Sequence, residues 1–130
     1  MIVITFGTFD VFHIGHINIL ERASSFGDRL IVGISSDELN FEKKGRYPIY
    51  PEDQRMKIVG SLRFVDEVFL EESLELKGEY IRKHNAGLLI MGNDWQGKFD
   101  VFEDICKVIY LERTPSISTT EVIEVVKARL

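Results

Sequence analysis

The sequence predicts an α/β protein, a single domain over residues 1–130 with an open, mostly parallel five-stranded sheet and helices on both faces. Five short apolar segments alternate with longer segments of helical periodicity. Such alternation is typical of parallel strands joined by right-handed crossovers. A chain of 130 residues is also long enough to bury one sizeable core. The predicted architecture is Rossmann-like.

Each predicted strand is a short apolar run. Leu30-Ile31-Val32-Gly33-Ile34 is uniformly apolar, as expected for a strand that is covered on both faces. The five strands are predicted at residues 2–6, 30–34, 67–70, 88–91 and 108–111. Because ligands bind beyond the carboxyl ends of the strands in such sheets, the candidate binding loops begin at Gly7, Ser35, Glu71, Gly92 and Glu112.

Four helices are predicted, at residues 16–26, from Pro51 to about Ser61, at residues 75–84, and from Ser118 to Arg129. Pro51 suits the first turn of a helix, and the acidic residues Glu52 and Asp53 suit its positive dipole end. Residues 40–52 form one long polar connection, which we expect to be mobile in the absence of ligand.

Composition and charge exclude several classes of protein. The formal net charge is −5, whereas a general nucleic-acid binder needs a broad basic face, so no nucleic-acid partner is expected. No apolar run approaches the roughly 20 residues of a membrane span, so no membrane insertion is expected. Cys106 is the only cysteine; it excludes an internal disulfide, favours a cytoplasmic location and is interpreted as a core residue.

The segment from Gly7 to His16 connects the first strand to the first helix. A helix N-terminus directs unpaired N–H groups and a positive dipole at an anion. His13 and His16 are three residues apart and can reach the same anion, while Gly15 lets the backbone approach a phosphate closely. A histidine in this place can donate a hydrogen bond to a phosphoryl oxygen and stabilise the charge that develops during transfer.

Two other interpretations of this histidine pair remain open. The spacing could be accidental, with both side chains on the surface or in the core. The pair could also bind zinc with Asp10 as a third ligand, although no further His or Cys lies in a plausible position. The strand, glycine, histidine, helix order favours the phosphate site.

A second polar segment, residues 113–120, follows the fifth strand and begins the last helix. Arg113 can bind a phosphate bidentately, and the hydroxyls and amides of Ser118 to Thr120 lie at a helix N-terminus. Taken alone, this pattern also fits a simple N-cap. Because it follows the same sheet edge as the histidine segment, we predict a shared polyphosphate site, over which Lys43, Lys44 and Arg46 could close.

Six segments resemble the cytidylyltransferase family of the HxGH nucleotidyltransferase superfamily, and together they run through nearly the whole chain. They are GTFDVFHIGH (7–16), LERASSFGD (20–28), ISSDELN (34–40), RFVDEV (63–68), MGNDWQGKFD (91–100) and RTPSISTT (113–120). The first is specific for the superfamily, and MGNDWQGKFD is similar to the glycerol-phosphate branch of the family.

This resemblance implies an enzyme that transfers the cytidylyl group of CTP to glycerol 3-phosphate, with Mg²⁺, to supply cell-wall or capsule polymers. It implies a homodimer in which RFVDEV contributes to the interface. Catalysis is assigned to His13, His16, Lys43 and Arg113. Nucleotide binding is assigned to Thr8, Phe9, Gly15, Asp94, Thr114, Ser118, Thr119 and Thr120. Acceptor binding is assigned to Asp10, Arg46, Arg55, Arg63 and Lys77.

Three positions depart from the family pattern. Pro115-Ser116 replaces a usual Glu-Gly, Gly45 stands where a second loop lysine is common, and Leu74 stands where the glycerol enzymes can carry a tryptophan. These departures concern the acceptor pocket and its loop more than the triphosphate site.

The expected chemistry is in-line attack of an acceptor phosphate on the α-phosphorus of the nucleotide. An ionised phosphate monoester is already a nucleophile, so positioning and charge neutralisation should suffice without a general base. His16 is expected to stabilise the transition state, with His13 and Lys43 assisting. The alternatives are a cytidylyl- or adenylyltransferase for another small phosphorylated alcohol or sugar, a catalytically silent nucleotide-binding module, and a purely structural oligomer.

Overall fold

The sheet is entirely parallel. In the computed structural model, which describes residues 1–114 and 118–130, five strands lie in the order β3-β2-β1-β4-β5. They are β1 (Ile2–Gly7), β2 (Arg29–Ser35), β3 (Glu67–Glu71), β4 (Leu88–Gly92) and β5 (Lys107–Leu111). Each strand contains its predicted segment, so the predicted fold class is confirmed. The departure at Pro115-Ser116 lies outside the described residues.

The described residues contain five α-helices and two short 3₁₀ helices. The α-helices are α1 (Ile14–Ser24), α2 (Asp37–Lys44), α3 (Glu52–Gly60), α4 (Lys77–Lys83) and α5 (Thr119–Arg129), and the 3₁₀ helices are Asn93–Trp95 and Asp100–Asp104. No helix in this part of the chain is long and apolar enough to cross a membrane.

Helix α2 corrects the sequence analysis, which assigned residues 40–52 to one polar connection. The side chain of Ser36 accepts the N–H of Leu39 and caps the helix. Acidic residues occupy its first turn and lysines its last turn, as the helix dipole favours. Gly45 then ends it in the left-handed conformation at φ 74°. The connection is therefore shortened to residues 45–51.

Two apolar clusters cover the two faces of the sheet. On one face the strands pack against α1 and α3, through Leu20, Ala23 and Val59. On the other face they pack against α4 and the segment before β5, through Ile81 and Cys106. Burial raises the pKa of the Cys106 thiol, which agrees with its interpretation as a small core residue.

The strand order determines where a ligand can bind. From β1 the sheet extends to β2 and β3 on one side and to β4 and β5 on the other. The chain segments that leave β1 and β4 therefore diverge, and they open a crevice at the carboxyl ends of the two central strands. The histidine segment follows β1, and the segment with Asp94 and Trp95 follows β4.

Candidate active site

The two histidines form the N-terminal cap of α1. The Nδ1 atom of His13 accepts the N–H of Gly15 at 3.0 Å, and the Nδ1 atom of His16 accepts the N–H of His13 at 3.2 Å. The side chains thus make a reciprocal capping box between the N-cap and N3 positions, where Ser or Thr and Glu or Gln usually act. The three-residue spacing of the motif is the spacing that this cap requires.

The capping bonds also determine which ring nitrogen carries the proton. Because each Nδ1 accepts a backbone N–H, we assign the proton of each neutral imidazole to Nε2. The two rings are stacked, with centroids 3.8 Å apart. His16 also stacks on Phe12 at 5.2 Å and meets Phe9 edge to face at 5.5 Å.

The surroundings keep both rings neutral. Burial, with smaller contributions from His13 and Arg113, lowers the pKa of His16 to about 3. Burial and the nearby Arg113 lower the pKa of His13 as well. Near neutral pH each ring therefore has one Nε2–H group to donate without a charge of its own.

The start of α5 lies against the histidine segment, as the sequence analysis predicted for a shared site. The Thr119 hydroxyl donates to the carbonyl oxygen of Asp10 at 2.9 Å, so it can accept from His13 Nε2, which lies 3.4 Å away. The Asn18 amide donates to the Thr114 hydroxyl at 3.0 Å. Ser118 caps α5 by accepting the N–H of Glu121 at 3.1 Å. Two helix N-termini thus lie side by side, and Thr120 is exposed on the first turn of α5.

Arg113 and Asp94 connect the ends of β5 and β4. The guanidinium nitrogen Nη1 lies 3.6 Å from a carboxylate oxygen of Asp94, and both side chains are about half exposed. A Cβ atom on Gly92 would lie 2.7 Å from the other Asp94 oxygen, so glycine permits this approach. The pair lies within reach of solvent and of any ligand in the crevice.

Asp10 holds the 45–51 connection close to the histidine segment. Its carboxylate accepts the N–H groups of Ile49 at 2.7 Å, Tyr50 at 2.8 Å and Val11 at 3.1 Å. Phe9 and Val11, on either side of it, have positive φ angles of 56° and 46°. Such conformations cost energy for non-glycine residues and are concentrated at functional loops. A role for Asp10 near acceptor hydroxyls stays a prediction.

The buried Arg55 side chain connects four segments of the chain next to the site. Its side chain is 0% exposed, and its guanidinium donates to the carbonyl oxygens of Tyr50, Thr8 and Ser35 and to the Asp37 carboxylate at 2.7–2.9 Å. Four of its five N–H groups therefore have acceptors within the chain. The predicted contact with an acceptor phosphate is not supported, because the side chain is closed off from solvent.

Lys43 lies on the last turn of α2 and not on a flexible loop. Its ammonium donates to the Ser35 hydroxyl at 3.3 Å. Loss of solvent lowers the pKa of Lys43, and the nearby Glu71 opposes this effect. Earlier in α2, the buried Asn40 accepts a hydrogen bond from the Thr8 hydroxyl at 3.0 Å. Helix α2, which was not predicted, thus brings Asn40 to the end of β1 and Lys43 to the end of β2.

The remaining predicted acceptor residues are not all brought together. Lys77 is 4% exposed and pairs with Glu71 at 2.7 Å. Arg46 is exposed in the 45–51 connection. Arg63 lies in the turn before β3. In this connection the backbone N–H of Asp66 donates to the carbonyl oxygen of Leu30, near the start of β2. Arg63 is therefore at the amino edge of the sheet, opposite the histidines of the same chain.

The described residues include no group of three or more His, Cys, Asp or Glu side chains that could hold a metal ion by themselves. The zinc interpretation gains no support, since the Nδ1 atoms and the Asp10 carboxylate already accept backbone N–H groups. Mg²⁺ stays a prediction, in which the phosphates of the nucleotide supply most of its ligands.

Ser35 and Glu71 were predicted only as the first residues of candidate binding loops, and Asn40 was given no role in the site. Ser35 and Glu71 each end a strand, and Asn40 lies in the unpredicted helix. Their position beyond the sheet edge was a usable signal for two of them, but apolar periodicity does not reveal polar contacts between neighbouring strand ends.

A helix-capping imidazole pair at the switch point of a parallel sheet, next to a second helix N-terminus, defines the class of Rossmann-like proteins built to hold a polyanion. The chain belongs to the cytidylyltransferase-like family, whose model matches residues 4–125. The resemblance stated from the sequence is therefore confirmed.

Individual relatives agree with this assignment. The chain is 50% identical to a glycerol-3-phosphate cytidylyltransferase of Bacillus subtilis over 94% of both chains. It is 44% identical to a glycerol-3-phosphate cytidylyltransferase of Staphylococcus aureus over 92% of this chain and 90% of the relative. A solved lipopolysaccharide core biosynthesis protein of Thermoplasma volcanium superposes with a TM-score of 0.74 at 22% identity, covering 88% of this chain and 98% of the other. This last likeness concerns the fold alone.

Proposed function

We propose that this chain transfers the cytidylyl group of CTP to glycerol 3-phosphate and releases CDP-glycerol and pyrophosphate. The observation that carries the chemistry is the stacked, neutral pair of His13 and His16 at the start of α1. The acceptor and the nucleotide come from the relatives, which are similar to this chain over nearly their full lengths.

In the proposed reaction a phosphate oxygen of glycerol 3-phosphate attacks the α-phosphorus of CTP. A new P–O bond forms, the bond from the α-phosphorus to the bridging oxygen breaks, and pyrophosphate leaves with its electron pair. No proton has to be removed from the nucleophile. The Nε2–H of His16 donates to an α-phosphoryl oxygen, where negative charge is redistributed in the transition state. His13 and Lys43 assist as further donors.

The triphosphate would lie across the N-termini of α1 and α5, with Arg113 and the hydroxyls near Thr119 as further donors. Both helix dipoles favour negative charge there. Mg²⁺ would arrive with the triphosphate and reduce the repulsion between the two anionic substrates. Asp94, after β4, would lie near the nucleotide.

We also propose a homodimer that works in the cytoplasm and feeds wall or capsule polymers. Arg63 supports the dimer, because it lies at the sheet edge opposite the histidines and can meet an acceptor only in the site of a second copy. Light scattering coupled to size-exclusion chromatography would give the mass in solution. A monomer at assay concentration would contradict this part.

The decisive experiment is a grid of nucleotides and acceptors. Pyrophosphate release is measured for CTP and ATP, each with glycerol 3-phosphate and other small phosphorylated alcohols and sugars, and products are identified by mass spectrometry. We expect the highest kcat/KM for CTP with glycerol 3-phosphate. Faster reaction of ATP or of another acceptor would replace the proposal by one of the alternative transferases. CTP binding without pyrophosphate release from any acceptor would indicate a silent module.

A further inference from the structure

Glu71 and Ser35 meet at the carboxyl edge of the sheet. They are register partners, each at the last position of its strand, β3 and β2 respectively. The N–H of Ser36 donates to the Glu71 carbonyl oxygen at 2.9 Å, which holds the two strand ends together. The polar side chains of both residues are therefore placed on the edge where the histidines also lie.

The Glu71 carboxylate connects two lysines from different helices. One oxygen accepts from the Lys77 ammonium at 2.7 Å. The other accepts from the Ser35 hydroxyl at 3.3 Å, and that hydroxyl in turn accepts from Lys43 at 3.3 Å. A hydroxyl can donate once while it accepts, so the bonds form a continuous path from Lys43 on α2 to Lys77 on α4.

Both members of the Glu71–Lys77 pair are buried, so the loss of the carboxylate would leave a buried ammonium without its partner. Glu71 is 1% exposed and Lys77 is 4% exposed, and the Lys77 ammonium lies 3.7 Å from the centre of the Phe6 ring. A buried ammonium is stable only with a charged partner and hydrogen bonds. The two lysines and the glutamate together carry one net positive charge, which suits an approaching phosphate.

We propose that Glu71 is a positioning residue of the active site, whose carboxylate, itself paired with the buried Lys77, holds the Lys43 ammonium in place through the Ser35 hydroxyl to receive the acceptor phosphate. The proposal rests on the proposed function, because it assigns Lys43 to the acceptor. Glu71 does not touch the reacting atoms and acts through Lys43.

The charged groups that act on Lys43 come from four elements. They are Glu71 on β3, Lys44 on its own helix, Lys77 on α4 and Arg55 on α3. Glu71 is the one anion in this set, and it raises the pKa of Lys43 while burial and the three cations lower it. It also opposes the effect of burial on the pKa of Lys77. Removal of its charge should therefore let both lysines lose their protons at lower pH.

The first test uses Glu71→Gln, which keeps the shape and removes the charge, and the matched control Glu72→Gln, which makes the same change at the exposed neighbouring residue. We expect Glu71→Gln to lower kcat/KM for glycerol 3-phosphate on the order of 10²-fold, as for a misplaced catalytic group. The alkaline limb of its pH profile should move to lower pH, and Glu71→Asp should restore part of the activity. Equal pH profiles and kcat/KM values for wild type and Glu71→Gln would overturn the proposal.

A second measurement needs no substrate. NMR of isotope-labelled lysine side chains follows the titration of Lys43 and Lys77, and both should titrate at lower pH in Glu71→Gln than in the wild type. If the wild type makes no CDP-glycerol but the lysine titrations shift as expected, the proposed function fails while the charge network stands. If the wild type is active and the titrations do not shift, the role of Glu71 fails alone.

One further variant protects the test against a folding defect, and a double-mutant cycle tests the route through Lys43 where Glu71→Gln folds. If Glu71→Gln does not fold, Ser35→Ala breaks the path to Lys43 and leaves the Glu71–Lys77 pair intact. It should lower kcat/KM and shift the titration of Lys43 only. In a double-mutant cycle, Glu71→Gln should cost several-fold less in a Lys43→Met background. Fully additive losses would contradict action through Lys43.

Discussion

Acidification should destabilise the folded protein through His16. The pKa of its imidazole falls from an ordinary 6.5 to about 3 in the folded state, so between these values the unfolded chain binds the extra proton and the folded chain does not. Stability therefore rises with pH across this window and is lost as pH falls below about 6.5. The direction is the same for His13, whose pKa is also lowered.

The size of the effect follows from the linkage relation. A pH of 5 lies 1.5 units below the pKa of 6.5 that the imidazole has in the unfolded chain. Each of these pH units changes the free energy of unfolding by about 1.4 kcal/mol. His16 alone should thus lower the free energy of unfolding by about 2 kcal/mol between pH 8 and pH 5. This figure is nearly the same for any folded-state pKa of roughly 4 or below, because the folded ring is then neutral at pH 5.

Urea denaturation of wild type and His16→Asn at pH 8 and pH 5 isolates this contribution. Asparagine can still accept the N–H of His13, which His16 Nδ1 accepts at 3.2 Å, but it does not titrate. The wild type should lose about 2 kcal/mol more than the variant between the two pH values. A third measurement at pH 9, where every histidine is neutral, gives the packing difference between the two proteins. Equal losses in both proteins would refute the assignment of a buried, neutral His16.

Three further substitutions test other parts of the site. His16→Ala should reduce turnover ~10²–10³-fold, since it removes a preorganised donor. Initial rates at saturating substrate measure this loss. Turnover near that of the wild type would contradict the mechanism. Arg55→Lys should lower the free energy of unfolding by about 3 kcal/mol, because one ammonium cannot satisfy four separated acceptors. The exposed Lys57→Arg on the same helix is its control in chemical denaturation. Asp10→Ala removes the acceptor of the N–H groups of residues 49 and 50. It should therefore lower the free energy of unfolding by about 1–3 kcal/mol and raise the KM for the acceptor. An unchanged KM would show that the 45–51 connection has no part in acceptor binding.

The fold followed from the sequence because its strands are covered on both faces. A run such as Leu30 to Ile34 has to be apolar at every position. Such a run can be recognised from the local sequence alone, without knowledge of its contacts with the rest of the chain. Helix α2 was missed for the opposite reason. It buries only Leu39 and Asn40, so it has almost no apolar stripe, and it depends on the Ser36 cap and on charges at its two ends.

What could be predicted for the candidate site is the place of the two helix N-termini. Helix N-termini after β1 and β5 follow from the order of elements, and the contact between Thr119 and the His13 segment agrees with that order. The burial of Arg55 and Lys77 was not predictable. Whether a cation faces a ligand or an internal carboxylate depends on contacts between separate elements, such as Arg55 with Asp37 and Lys77 with Glu71. The pattern of apolar residues along the chain does not predict such ion pairs.

The caps suit neutral histidines to the proposed site for two polyanions. A lysine at the N-cap of α1 would bring charge, but it has no acceptor for the N–H groups that His13 and His16 now satisfy. An aspartate would cap the helix and repel a phosphate. A neutral imidazole accepts a backbone N–H on one nitrogen and can donate to a ligand from the other. The stacking distance of 3.8 Å disfavours two charged rings, so the pair would offer directed donors to a phosphate rather than two positive charges.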